Sequence, residues 1–286
     1  NLALSELQEC LKLEPDAAYA YNERGLLNRR LKKYREAIAD FEQAYSKSPG
    51  WVLPWANLTT TYNNLKDYTN AEITGKQAVR LDSASALAQF NLGLTYYLQS
   101  NTAAAKTHYK KAIQSDQEYS LAFFNLGLIY FGENDFERAE QMWTIYHRQA
   151  PDDPDGLLNL GEVALKRNQK DTALSFFKKT LTLDPKYTLA HLAIGELYLN
   201  EEKYDEAESA FWRYAEHKPG DPIPYYHLAF TKTLKEQPEM ARQQLDKALS
   251  LDKDYQVLRE NRHLESLRGQ APFVALLDQY APGWKK

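Results

Sequence analysis

Apolar positions along this chain recur with a period of 34 residues. A column of aliphatic side chains reads Leu58, Leu92, Leu126, Leu160, Ile194 and Leu228. A second, mostly aromatic column reads Phe41, Tyr109, Trp143, Phe177, Phe211 and Leu245. Small residues keep the same step. Gly25, Gly93, Gly127, Gly161, Gly195 and Ala229 form one small column, broken by Thr59, and Ala37, Ala71, Ala105, Ala139, Ala173, Ala207 and Ala241 form another with no break. Pro15, Pro49, Pro151, Pro185 and Pro219 punctuate the register, which runs through seven units without insertion.

Each column has a steric reason. Paired antiparallel helices approach closely only where their side chains are small, and large residues then fill the space around the crossing, each burial contributing on the order of 1.5–3 kcal/mol. Proline closes the second helix of a unit, because its ring and missing N–H cannot continue the ladder. Acidic residues near these breaks (Glu14, Asp184, Asp221) suit the start of the following helix. The expectation is an all-α chain of seven helix–turn–helix units at 18–51, 52–85, 86–119, 120–153, 154–187, 188–221 and 222–255. Residues 1–17 supply the second helix of a partial unit. Residues 256–286 break the period and read as one helix, a break at Gly269–Pro272 and a short amphipathic helix. Phe273, Leu276 and Leu277 would cover the last unit's apolar face, as the end of a solenoid requires.

The columns resemble the tetratricopeptide repeat, and the stretches FNLGLIYFGENDFERAEQMW and LAIGELYLNEEKYDEAESAFWRYAEHKPGD are close to that family's pattern. The resemblance implies a right-handed α-solenoid whose inner wall is lined by the first helix of each repeat. At the sixth place of successive repeats stand Asn57, Asn91, Asn125 and Asn159, a ladder of carboxamides that could pair with the backbone of an extended peptide. The same ladder is similar to one in the repeat domain of O-GlcNAc transferase. Phe90, Leu94, Tyr97, Phe124, Leu128 and Phe131 fall on the inward stripe, and contiguous apolar surface of that kind marks an interaction site if it stays open; a tightly curled wall that packs these side chains against neighbouring repeats is the alternative. The fifth place of each repeat holds no lysine, which sets aside the charge-clamped chaperone tail that some family members bind. A basic cluster in the first repeat (Arg24, Arg29, Arg30, Lys32, Lys33, Arg35) reads as a solvated face or as a contact for an acidic partner segment.

Composition narrows the rest. Hydrophobic residues make up 43% and charged residues 26% of the 286, a balance that argues against disorder. The net charge of −4 argues against nucleic acid, whose binders carry a clustered basic surface. A single cysteine, Cys10, excludes an internal disulfide framework and reads as a buried small residue. No apolar run is long enough for a transmembrane helix. The six histidines show no i, i+4 pair, and no phosphate-binding loop or nucleophile elbow is present. The expectation is a chain with no catalytic residues, cofactor or metal: a scaffold that binds a segment of another protein in its groove. A self-associating or bridging structural subunit, or the recruiting domain of a larger enzyme, are the alternatives. Asn1 falls inside a predicted helix, so a piece of a longer protein is expected. The cytoplasm is favoured as compartment, with the periplasm or another extracytoplasmic space open if a signal precedes Asn1.

Overall fold

The computed structural model describes residues 2–285, so the start at Asn1 lies outside the described residues. Two compact units divide the chain, Asn1–Gln149 and Ala150–Lys286. The first holds α1 (Leu2–Leu13), α2 (Ala18–Arg30), α3 (Tyr34–Lys47), α4 (Val52–Asn64), α5 (Tyr68–Leu81), α6 (Ala86–Leu98), α7 (Thr102–Ser115), α8 (Ser120–Gly132) and α9 (Phe136–Gln149). The second holds α10 (Pro154–Lys166), α11 (Lys170–Leu183), α12 (Thr188–Asn200), α13 (Tyr204–His217), α14 (Ile223–Leu234) and α15 (Pro238–Leu251), then α16 (Gln256–Glu260), α17 (Glu265–Arg268) and α18 (Ala271–Tyr280). Neighbours in sequence pair as hairpins (α2 with α3, α4 with α5 and so on), and within each unit one pair stacks on the next, as in a helical solenoid.

The crossings follow size complementarity. A Cβ placed on Gly25 would lie 2.6 Å from the Phe41 ring, and one on Gly93 would lie 2.9 Å from the Tyr109 ring. Gly127 lies against Trp143, Gly161 against Phe177 and Gly195 against Phe211 in the same way. These five aromatic side chains are buried to within 1% exposure, so the glycines cannot grow without displacing them. Thr59, the odd member of the glycine column, is the reverse arrangement: it faces Gly75, whose added Cβ would meet the Thr59 methyl at 3.2 Å. The alanine column from Ala37 to Ala241 is fully buried throughout.

Every hairpin turns through a left-handed residue: Lys32, Lys66, Ser100, Asn134, Asn168, Glu202 and Glu236 all have φ between 56° and 62°. Around the first of them, Lys33 N donates to Asn28 O (2.8 Å) and Lys32 N to Arg29 O (2.9 Å), a Schellman closure of α2. The same pair of bonds ends each first helix through α14, for example Lys203 N to Tyr198 O and Gln237 N to Lys232 O.

At the C-terminal end, α18 lies on α14. Phe273 meets Tyr226 and Phe230 edge to face, with ring centroids 6.4 and 5.8 Å away, and Leu277 is fully buried beside it. The segment before it is not the single helix expected from sequence. Asn261 is extended (φ −73°, ψ 126°) and its side chain accepts from His263 N, capping a new 3-10 turn over Arg262–Leu264 and breaking the run into α16 and α17.

Candidate functional site

Within the first unit the two helix layers are not equivalent. First helices of successive repeats reach one another directly. Asn91 of α6 donates to the Ala56 carbonyl of α4 (3.0 Å), Asn63 of α4 donates to Thr95 of α6 (3.1 Å), and Asn57 of α4 donates to Asn22 of α2 (2.9 Å). The second helices α3, α5 and α7 meet the following repeat mainly through its first helix. Close approach on one side and spreading on the other makes the layer of α2, α4 and α6 the inner wall of this unit, and α8 continues it as the first helix of the next repeat.

The structure sorts the sequence-derived site residues by depth on that wall. Phe90 is almost enclosed, at 7% exposure, between Tyr109 (centroids 5.5 Å) and Tyr119 (5.2 Å). Phe124 packs on Tyr146 (4.9 Å) and is half-buried. Leu94, Tyr97, Leu128 and Phe131 are also half-buried, Phe131 resting on Trp143 and Phe136. Beyond them, Leu53, Leu98 and Leu121 on the same helices stand 39–48% exposed. Along α6 and α8 the wall is therefore apolar and partly open, with its deepest aromatic ring absorbed into the core.

The asparagines divide likewise. Asn57 and Asn91 are buried and spend their amide N–H groups on α2 and α4, holding neighbouring helices together. Asn125 is half-buried and donates only to Leu121 O of its own helix (2.9 Å); Asn159, in the second unit, is half-buried on α10. The amide column was readable in the sequence, but its division was not, since that depends on how closely α4 approaches its neighbours. Asn63 and Asn22, which complete these bonds, carried no periodic signal.

The basic cluster also separates. Arg24 forms a forked ion pair with Asp40 of α3 (Nε to Oδ1 3.0 Å), and Asn28 donates to the same carboxylate (2.9 Å). Asp40 is buried, so this pair ties α2 to α3, and the contact raises the Arg24 pKa. Lys32, Lys33 and Arg35 are exposed in and just after the turn, leaving Arg29 and Arg30 at the end of the wall. One minor expectation changes as well: Cys10 is only half-buried, its Sγ 3.4 Å from the Tyr19 hydroxyl.

The second unit's first helices carry acid instead. Burial pushes the Glu162 pKa up. Burial, reinforced by the Glu162 charge, pushes Glu196 up to about 8. Lys166 and Arg262 act on Glu162 in the opposite direction. Glu196 lies 3.6 Å from His227, a fully buried imidazole on α14 that bonds the His263 carbonyl (3.1 Å) and whose pKa burial lowers to about 3. Among the described residues no three histidine, cysteine or acidic side chains converge as metal ligands, and no helix is long and apolar enough to cross a membrane.

Comparison with known proteins places this architecture. Four tetratricopeptide repeat models match residues 18–51, 86–119, 124–188 and 164–232, together more than half of the chain. No curated protein sequence matches. Among solved structures, the pilF protein of Pseudomonas aeruginosa is similar over 79% of this chain and 96% of its own, at 19% identity and a TM-score of 0.62. The C-terminal part of a TPR repeat-containing protein from Cytophaga hutchinsonii is similar over 86% of this chain and 98% of its own, at 17% identity and a TM-score of 0.61. A chain of the APC/C hetero-tetramer Cut9-Hcn1 is similar over 97% of this chain and 52% of its own, at 16% identity and a TM-score of 0.67. At these identities the likeness is one of fold, and with the repeat models and the size-matched helix crossings it leads to one conclusion: the chain belongs to the tetratricopeptide repeat family, whose arrays are protein–protein interaction scaffolds.

Proposed function

We propose that the inner wall of the first unit holds a segment of a partner polypeptide, and that the chain acts by binding rather than by catalysis. One observation carries this reading. Every crossing position is already filled from within the fold, yet Leu98, Leu121 and Leu53 remain exposed beside half-buried Leu94, Tyr97, Leu128 and Phe131. Apolar side chains left open in this way are costly in water unless something covers them. Phe90 and Phe124 support the wall from beneath. Asn125 is the ladder member that pairs with peptide backbone in this unit, whereas Asn57 and Asn91 hold the helices that form the wall. The net charge of −4 favours a protein partner over nucleic acid.

The test is selection of displayed random peptides, about twelve residues long, on the intact chain. Apolar-rich peptides binding near the micromolar range, roughly −8 kcal/mol, are expected. Changing Leu98→Ser together with Leu121→Ser should weaken them about ten-fold while the thermal melt falls by only a few degrees, since both side chains are more than a third exposed. Equal binding to that variant would remove the wall from the account.

A further inference from the structure

Two arginines on α2 differ in one respect. Arg24 has its counter-charge built in, Asp40, and the ion pair raises its pKa. Arg29, further along the same helix, is half-buried and has none. Among the described residues its Nη1 reaches the Asn57 carbonyl alone, at 3.5 Å, and burial together with the neighbouring Arg30 lowers its pKa with no carboxylate opposing the shift. Asp40, the buried acid of this repeat, is held by Arg24 and Asn28, and no carboxylate acts on the Arg29 charge among the described residues. A guanidinium taken partly out of water beside a like charge is unfavourable unless an anion arrives to compensate. Arg30 is exposed next to it. The pair therefore sits at one end of an apolar wall, with unmet demand for negative charge.

We infer that Arg29 and Arg30 receive side-chain carboxylates of the partner, so that the wall's ligand is an amphipathic segment with aspartate or glutamate at one end and apolar residues along the rest. The inference rests on the reading of the wall given above and narrows it to one class of partner. Charge complementarity carries the choice. A planar guanidinium suits a carboxylate in bidentate geometry, and the partly open apolar side chains farther along this layer, Leu94, Tyr97 and Leu98 of α6 and Leu121, Leu128 and Phe131 of α8, suit leucine or aromatic side chains rather than a sugar–phosphate chain. The arrangement also explains why burying Arg29 is tolerated: it is preorganised for a charge that the ligand supplies.

The same displayed-peptide selection tests it, run in parallel on the intact chain and on the variant Arg29→Gln with Arg30→Gln. Peptides taken by the intact chain should be enriched about three-fold or more in aspartate and glutamate, grouped at one end. The variant should select apolar peptides without that enrichment, and should bind a synthetic copy of an acidic peptide about ten-fold more weakly. Raising salt to about 500 mM should erase most of the difference. The variant should melt at or above the temperature of the parent, because an uncompensated half-buried cation has been removed; a lower melt would show that the fold itself satisfies Arg29, and would overturn the inference. So would selected peptides without acidic enrichment, or an enrichment that survives in the variant. Tighter binding of a single-stranded oligonucleotide than of any peptide, lost in the same variant, would reassign the arginines to phosphate. A selection that returns no peptide from the intact chain removes the wall reading, and this inference with it.

Discussion

The helix crossing in the first repeat gives a sharp test of the fold. Gly25→Ala adds a methyl group whose carbon would lie 2.6, 2.8 and 3.0 Å from three atoms of the Phe41 ring, where ordinary contact is 3.4–4 Å. The ring is fully buried among Ala37, Leu58, Leu26, Ile38 and Trp55, so it has to shift by roughly 1 Å against a packed surround, a cost of about 1–3 kcal/mol. Alanine returns about 1 kcal/mol of helix propensity, leaving a net loss of up to about 2 kcal/mol. The last repeat shows the cure, since there alanine (Ala229) accompanies leucine (Leu245) in the same two columns, both fully buried. Phe41→Leu alone should open a small cavity and cost about 1 kcal/mol, and in the double variant the new methyl group should occupy that space. Thermal melts of the four proteins close a double-mutant cycle, with an expected favourable coupling of about 1–2 kcal/mol and a drop of a few degrees for Gly25→Ala alone. A higher melting temperature for Gly25→Ala, or additivity within about 0.3 kcal/mol, would refute the steric account of the crossing.

Other outcomes follow from the same contacts. Ala139→Leu, at a fully buried position of the alanine column, should cost about 1–3 kcal/mol in a thermal melt. Arg24→Leu should cost about 3 kcal/mol by chemical denaturation, because it strands the buried Asp40 carboxylate with only Asn28 as partner. Glu202→Gly should raise the melting temperature slightly, since φ of 59° costs a glutamate about 1–2 kcal/mol, and glycine returns part of this after its own entropy. Glu196 makes stability depend on pH. Its folded pKa, raised to about 8, exceeds the ordinary 4.5, so the native state keeps a proton that the unfolded chain releases, and its contribution is full below the ordinary value and is lost as pH rises through about 8. Glu162 acts in the same direction, while the buried histidines have lowered pKa values and are neutral in both states above their ordinary 6.5. Melting temperature should therefore fall between about pH 6.5 and 8.5, and Glu196→Gln should flatten that slope; an unchanged slope would contradict the assignment.

What the sequence made legible was the steric grammar. Gly25 before Phe41 and Gly127 before Trp143 are choices that only a close crossing demands, and they recur because each repeat solves the same packing problem. Thr59 looked like a lapse until Gly75 was found opposite it, the same small-against-large rule with its members exchanged. The hairpin turns were silent: left-handed positions held by Lys32, Lys66, Glu202 and Glu236 lack the glycine that usually announces them, because the Schellman bonds fix the conformation regardless of side chain. Depth on the wall was silent too. Phe90 and Leu94 share a stripe by periodicity, yet one is sealed by Tyr119 and the other is partly open, a difference set by a ring at the far end of the same repeat. The same limit hid the commitment of Arg24 to Asp40 and the half-burial of Arg29 beside Arg30.

The most direct test of the wall is photo-crosslinking from two positions on the intact chain, using a peptide obtained by the selection described above. A photoreactive phenylalanine at Tyr97, on the inner wall, should crosslink to the peptide; the same group at Ile73 on α5, 59% exposed in the other layer, should not. Crosslinking from Ile73 and not from Tyr97 would place the partner on the other helix layer and contradict the account.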